Sequence, residues 1–206
     1  MGLVRGETAG GVDRIWLDGR RLVSLDASVP QIGAPAAWQA GYTGRGVTVA
    51  VLDSGVDAEH PDLVGRVTDS VNFTDAADDG DLTGHGTHVA SIIAGSGAAS
   101  EGRYRGVAPE ATLISGKVCP YEYCDDSAIL AGMHWAAAEK RADVVNLSLG
   151  GPDTPEIDPL EEAVNRLTAP PDDATTAVMA EESAGAGAGG CCSLSRGGAR
   201  AGPAPP

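Results

Sequence analysis

The feature that most restricts the fold of this chain is an apolar run at residues 47–52, followed at once by Asp53, Ser54 and Gly55. A run of this length without polar alternation is typical of a strand buried on both faces of a parallel sheet. In such sheets, binding sites form outside the carboxyl ends of the strands. Asp53 is therefore expected at the edge of the sheet where a site forms.

Further strands and helices are predicted to alternate along the chain. Strands are predicted over residues 47–52, 111–118 and 143–149, and helices over residues 36–40, 85–94, 127–140 and 160–167. Strands that alternate with helices imply a parallel sheet covered on both faces. The predicted fold class is α/β, doubly wound, with a mainly parallel sheet.

Both ends of the chain differ from this pattern. Apolar residues at 15–17 and 22–25 flank an Asp-Gly pair, which predicts a β-hairpin. Two prolines in residues 28–35 predict a linker without regular structure. Of the 38 residues in 169–206, 22 are Ala, Gly or Pro, so this tail is expected to be disordered.

Charge and composition exclude several functions. The formal net charge of −15 argues against nucleic acid or an anionic membrane as a partner. No apolar run approaches the roughly 20 residues of a membrane span, and the N-terminus lacks a signal peptide, so the chain as printed is expected in the cytoplasm. Cys119 and Cys124 are equally compatible with two free thiols or with a short-loop disulfide, which would imply an oxidising compartment.

The segment Gly84-His85-Gly86-Thr87-His88 adds an imidazole to the carboxylate of Asp53. A histidine whose tautomer is fixed by a carboxylate acts as a general base in charge-relay sites. Taken alone, Asp53 could be a turn residue and His85 a residue that begins a helix. Together they predict two of the three members of a charge-relay site. His88 is expected to be buried and structural, since the H-E-x-x-H pattern of a zinc site is absent.

The strand predicted at 143–149 ends in Ser148, Leu149 and Gly150, where the backbone carries little side-chain bulk. Such an edge can pair with an extended peptide, although a strand that simply leads into a loop has the same pattern. Ser148 lies outside the G-x-S-x-G elbow that presents a nucleophile in α/β-hydrolases, and is not assigned that role.

Four segments make the chain resemble the subtilisin-like (subtilase, peptidase S8) serine endopeptidases. They are residues 49–63, 84–90, 106–109 and 145–151. The resemblance runs from about residue 29 to residue 167, and it implies a subtilisin-like fold and peptide-bond hydrolysis through an acyl-enzyme on serine. It implies that Asp53 orients the imidazole and that His85 is the general base and acid. Residues Ser148, Leu149 and Gly150 would bind the backbone of an extended polypeptide substrate.

The resemblance also implies a division of the chain and a form of regulation. Residues 1–28 would be the end of a pro-segment with its hairpin and linker, 29–168 a partial catalytic domain, and 169–206 a tail. The pro-segment implies a zymogen, cut between Leu25 and Gln31. The family resemblance implies a secreted protein, and a monomer is expected. Family members commonly bind calcium, and Asp62 matches a calcium position, but no companion loop is recognisable in 96–105. No cofactor and no metal ligand are therefore predicted.

Two family motifs are not found after residue 167. One carries the oxyanion-hole asparagine, and the other carries the nucleophilic serine in a Gly-Thr-Ser-Met-Ala block. The chain is therefore expected to be inactive as printed, and the change of composition near Ala169 suggests a truncation or a frameshift. The absent strands would leave a hydrophobic sheet edge unpaired, which predicts aggregation.

Three functions are compatible with these observations. The first is a partial serine endopeptidase of the Asp-His-Ser type. The second is a non-catalytic pseudoprotease module that binds extended peptides at Ser148–Gly150 without cleaving them. The third, a nucleotide-binding domain, ranks last because no G-x-G-x-x-G turn follows the first strand and Asp53 would repel a phosphate there.

Overall fold

A computed structural model describes residues 3–8, 11–17, 25–151, 157–169 and 192–195. The strands are β1 (Leu3–Thr8), β2 (Gly11–Leu17), β3 (Thr48–Asp53), β4 (Val67–Asn72), β5 (Thr112–Lys117), β6 (Val144–Leu147) and β7 (Cys192–Ser195). The helices are α1 (Leu25–Gln31), α2 (Ala34–Gln39), α3 (His85–Ala94), α4 (Asp126–His134) and α5 (Pro159–Thr168). A 3₁₀ turn at Ala98–Ser100 and a π-helical turn at Trp135–Glu139 complete the helical elements.

The main sheet has the strand order β4-β5-β3-β6-β7. Its first four strands are parallel, and β7 runs antiparallel to β6. The apolar run of the sequence forms the central strand, with Leu52 beside Leu147 and Asp53 beside Lys117. The predicted α/β fold with a doubly wound, mainly parallel sheet is therefore confirmed.

Side chains of β3 alternate between two hydrophobic cores, one on each face of the sheet. Val49 and Val51 pack in the core that contains Ala90 and Ala94 of α3. Ala50 and Leu52 pack in the core formed with α4. Since successive strand residues point to opposite faces, Asp53 follows Val51 on the face that α3 covers. This parity directs the carboxylate towards the helix that carries the histidine.

Most elements of the central region form where the sequence predicts them. The helix predicted at 85–94 has the same bounds in the structure, and β5, β6, α2 and α5 begin and end within two residues of their predicted limits. The helix predicted at 127–140 is instead α4 followed by the π-helical turn. There the N–H of Lys140 bonds the carbonyl of Trp135, five residues back, while the Trp135 ring is buried with its edge against Phe73.

The N-terminal predictions need correction. Strand β2 includes residues 15–17, and the partner that the structure describes for it is β1, upstream. Leu25 begins helix α1, and residues 18–24 lie outside the described part of the chain. The segment predicted to be an irregular linker is largely helical, with Pro30 in the last turn of α1 and Pro35 in the first turn of α2. At Pro35 the missing N–H costs little, because the N–H groups of a first turn have no intrahelical partner. Pro30 lies one residue before the end of α1.

Two strands of the main sheet were not predicted. Strand β4 has the mixed sequence VTDSVN and is only partly buried, so it lacks the apolar run that indicates a central strand. Strand β7 lies in the low-complexity tail and pairs with β6 along Val144–Leu147. The prediction that the edge of β6 is unpaired is therefore wrong over these four residues. Most of the tail lies outside the described residues, and for that part disorder stays a prediction.

Candidate active site

The carboxylate of Asp53 lies at the carboxyl end of the central strand and is almost completely buried. The residue is 3% exposed. Its carbonyl oxygen accepts the backbone N–H groups of Val118 and Cys119, at 2.8 and 3.1 Å, from the segment that follows β5. Its Oδ1 atom accepts the N–H of Ser54 at 2.7 Å. The backbone of Asp53 is thus held by the segment that follows the neighbouring strand, and its carboxylate is held by the turn that follows Asp53 itself.

The imidazole of His85 reaches this carboxylate from the first residue of α3. His85 Nδ1 lies 2.7 Å from Asp53 Oδ1, which is a short charge-assisted hydrogen bond. The His85 side chain is 55% exposed, compared with 4% for Asp53. A neutral imidazole that donates from Nδ1 has Nε2 free as an acceptor. The structure therefore brings together the two residues that the sequence predicted as a pair.

Gly86 permits this contact because α3 begins against the end of β3. A Cβ atom built on Gly86 would lie 2.0 Å from the carbonyl oxygen of Gly55 and 3.1 Å from Asp53 Cβ. No side chain fits in that space, so the helix can approach the strand end only with glycine at this position. The glycine after the histidine is thus required by packing and does not only provide flexibility.

A second carboxylate, Asp81, lies behind the pair and was not singled out from the sequence. Its Oδ1 accepts from the Ser54 hydroxyl at 2.8 Å, and its Oδ2 accepts from the Thr87 hydroxyl at 2.6 Å. Burial alone would raise the pKa of Asp81, but the hydrogen bonds from Thr87, Ser54 and Gly84 outweigh burial and hold the pKa below its usual value. The only signal in the sequence was an aspartate four residues before His85, within an acidic loop.

The predicted peptide-binding residues follow β6 at the same edge of the sheet as Asp53. The Ser148 hydroxyl donates to Asn146 Oδ1 at 3.0 Å, and Leu149 packs against the core beside α4. Gly150 is exposed, with open space where a side chain would be. These residues thus share an edge with the acid–base pair, while their contact with a substrate stays a prediction.

Cys119 and Cys124 form a disulfide, so the alternative of two free thiols does not hold in the structure. The bridge closes a short loop between β5 and α4, next to the backbone that bonds the carbonyl of Asp53. Tyr121 and Tyr123 lie within this loop and are exposed.

Two other sequence predictions concern histidine and calcium. His88 is exposed on α3, so the expectation that it is buried is wrong; it points away from the sheet that its neighbours Val89 and Ala90 contact. Asp62, the residue matched to a calcium position, is buried, and its Oδ1 accepts the N–H of Ala99 at 2.7 Å. In the described residues, no group of three or more His, Cys, Asp or Glu side chains is arranged to hold a metal ion.

Among the described helices, none has both the length and the apolar character needed to cross a bilayer.

Comparison with known proteins agrees with this geometry. The model of the peptidase S8 subtilase family matches residues 44–189. The chain is 42% identical to the major intracellular serine protease of Bacillus subtilis (strain 168), over 68% of this chain and 44% of that protein. It is 45% identical to an intracellular serine protease of Paenibacillus polymyxa, over 70% of this chain and 44% of that protein. It is 42% identical to subtilisin E of Bacillus subtilis (strain 168), over 63% of this chain and 33% of that protein.

The chain thus spans less than half the length of these relatives, which include proteins named as intracellular. The matched region contains the buried carboxylate, the histidine bonded to it and the glycine that lets the two approach. With the family model covering more than half of the residues, this chain belongs to the subtilase family of serine proteases.

Proposed function

We propose that this chain carries the acid–base part of a serine endopeptidase centre, in which Asp53 orients His85 and His85 is the general base and acid. The observation that supports the proposal is the 2.7 Å contact between His85 Nδ1 and Asp53 Oδ1, made by a buried carboxylate and a half-exposed imidazole. The contact keeps the proton on Nδ1 and directs Nε2 towards the open side of the site.

The environment of the pair suits proton transfer from a serine hydroxyl. Nε2 of His85 would take the proton while the hydroxyl oxygen attacks the peptide carbonyl, and would then return it to the leaving amine. The start of α3 disfavours a positive charge on His85 because the helix N-terminus is itself positive. The Asp53 carboxylate opposes that effect, since a buried negative charge in contact with Nδ1 stabilises the imidazolium.

The nucleophile is the part of the proposal that rests on sequence alone. The printed chain has no Gly-Thr-Ser-Met-Ala block and no matching asparagine block, so we propose that this chain by itself does not hydrolyse peptides. Loss of the serine from a triad of this type, measured in a subtilisin, lowers turnover by a factor on the order of a million. The substrate we propose for the complete centre is an extended polypeptide, bound along Ser148, Leu149 and Gly150.

Two measurements on the 206-residue chain test this proposal. The first is proton NMR of the imidazole, in which a hydrogen-bonded Nδ1–H of His85 gives a resonance at low field. The resonance should disappear in His85→Ala and persist in His88→Ala, a matched variant on the same helix with an exposed side chain. A wild-type chain without this resonance would refute the proposed acid–base pair.

The second measurement is exposure to a fluorophosphonate probe, followed by mass spectrometry, together with a peptide-cleavage assay. We expect neither acylation of any serine nor turnover above the background of the His85→Ala variant. Acylation at one serine would show that this chain contains its own nucleophile, and would overturn the proposal that it is inactive alone.

A second candidate function is supported by the exposed backbone after β6. Gly150 lies in open space at the same edge as Asp53, so an extended peptide could pair there without being cleaved. A fluorescently labelled peptide should then bind the chain, and Gly150→Pro, which removes a backbone donor, should weaken binding. Binding that is unchanged in this variant would argue against the peptide-binding role.

A further inference from the structure

We propose that Asp81 is a positioning residue that sets the separation between Asp53 and His85. The inference rests on the proposed function, since it concerns the acid–base pair of that centre. Asp81 touches neither reacting group. It contacts both the loop that follows the strand carrying Asp53 and the first turn of the helix that begins with His85.

The two oxygens of Asp81 bind two different elements. Oδ1 accepts from the Ser54 hydroxyl at 2.8 Å and from the N–H of Gly84 at 2.9 Å. Oδ2 accepts from the N–H and the hydroxyl of Thr87, at 2.8 and 2.6 Å. A single carboxylate thus bridges the strand end and the start of the helix.

Helix α3 depends on this carboxylate because its N-cap residue, Gly84, has no side chain to cap it. The first N–H groups of a helix have no intrahelical partner and need another acceptor. Here Asp81 accepts those of Gly84 and Thr87, the Thr83 hydroxyl accepts that of His85 at 3.3 Å, and the Ser54 hydroxyl accepts that of Gly86 at 3.0 Å. All four groups are therefore satisfied, two of them by Asp81.

The link from Asp81 to Asp53 passes through Ser54. A hydroxyl has one proton and two acceptor positions. The proton of Ser54 goes to Asp81, at 2.8 Å, in preference to Asp53 Oδ1, at 3.2 Å. Its acceptor positions receive the Thr83 hydroxyl at 2.8 Å and the N–H of Gly86. Ser54 is then fully bonded, and its own backbone N–H holds Asp53 Oδ1 at 2.7 Å.

The loop that carries Asp81 is itself held against the strand ends. Lys117, which is completely buried at the end of β5, donates from Nζ to the carbonyl of Gly80. Gly55 has a φ of +103°, and a Cβ atom there would lie 2.4 Å from the carbonyl oxygen of Asp79. Asp79 and Gly80 are thus packed onto the strand ends next to Asp53, so the carboxylate of Asp81 has little freedom to shift.

Replacement of Asp81 by Asn tests this arrangement with little change of shape. An amide has one acceptor oxygen, and its NH₂ group must face donors on one side or the other, either those of Thr87 or those of Ser54 and Gly84. One half of the bridge is therefore lost in either orientation. Asp79→Asn is the matched control, since this exposed side chain lies in the same loop and its replacement removes the same charge.

The readout is the low-field Nδ1–H resonance of His85 in the 206-residue chain, together with its exchange rate with water and the urea midpoint. In Asp81→Asn we expect the resonance to broaden or to exchange at least about tenfold faster, in line with loss of a hydrogen bond to a charged group. Asp79→Asn should leave it unchanged. A merely structural role would lower the urea midpoint of Asp81→Asn but leave the resonance of the folded protein unchanged, and this result would overturn the inference.

A second variant covers the case in which Asp81→Asn does not fold. Ser54→Ala removes the hydroxyl that joins Asp81 to the Asp53 end while keeping the N–H that bonds Asp53 Oδ1. It should also accelerate the exchange of the His85 proton, and an unchanged rate would refute the inference. The wild-type spectrum separates the two proposals: its lack of a resonance would count against the acid–base pair, whereas a resonance present in wild type and unchanged in the variants counts only against Asp81.

Discussion

Gly86→Ala gives the sharpest test of how packing sets the acid–base pair. The new Cβ atom would lie 2.0 Å from the carbonyl oxygen of Gly55, a backbone atom that cannot rotate away. Cβ atoms do not approach other heavy atoms closer than 3.0 Å, so helix α3 and the strand end must separate by about 1 Å. The contact between His85 and Asp53 then lengthens from 2.7 Å to about 3.7 Å, outside hydrogen-bond range.

The expected result is loss of the His85 Nδ1–H resonance, with a fall in the free energy of unfolding of about 1–3 kcal/mol from overpacking. Gly84→Ala is the control. Gly84 has a φ of +80° and open space around the Cβ position. Placing Ala in this conformation costs about 1–2 kcal/mol without moving the helix.

The two variants should therefore be similar in urea unfolding and different in the NMR spectrum. The resonance should persist in Gly84→Ala and be absent in Gly86→Ala. If Gly86→Ala retains the resonance at its wild-type position, the close approach of helix and strand does not control the pair, and this reasoning fails.

Three further predictions concern stability. Reduction of the Cys119–Cys124 disulfide with a phosphine should lower the free energy of unfolding by about 2 kcal/mol, as expected for a short closed loop, and an unchanged urea midpoint would contradict this. The folded-state pKa of Asp81 lies below its ordinary 3.8, so the stability that it contributes is complete above that pH and is lost as the pH falls through the lowered pKa. A fall in pH should therefore destabilise Asp81→Asn less than wild type, as measured by acid unfolding followed by circular dichroism. Leu52→Ala leaves a cavity in a fully buried site and should cost about 2–5 kcal/mol in urea unfolding, whereas Leu82→Ala, at a 67% exposed position, should cost little.

The accuracy of the sequence-based predictions followed the strength of the local pattern. The apolar run at β3 and the glycine-bounded helix α3 have patterns that are complete within a few residues, and both form as predicted. Strand β4 has a mixed, half-polar sequence because it lies at the edge of the sheet, so no local pattern indicates it. The linker predicted from Pro30 and Pro35 was wrong, because the cost of a proline depends on where in the helix it lies.

The candidate site shows the same division. Asp53 and His85 were identified because each ends or begins a regular element, where a functional side chain is held rigidly. Ser54 and Asp81 were missed because nothing local marks a serine in a turn or one aspartate among several in an acidic loop. Their role depends on a contact across 27 residues of sequence. His88 was expected to be buried, but the face of α3 on which it lies does not contact the sheet.

The sequence by itself determined which residues form the central strand and the helix, and therefore at which edge of the sheet a carboxylate and an imidazole meet. Periodicity and end signals are local properties, so they can be read without knowing what packs against them. Only the tertiary structure decided that the pair is separated by 2.7 Å, that Asp81 bridges its two supports and that Cys119 bonds Cys124. Each of these contacts depends on how closely one element packs on another. That distance is set by the size of the residues between the elements, as at Gly86, where no side chain would fit.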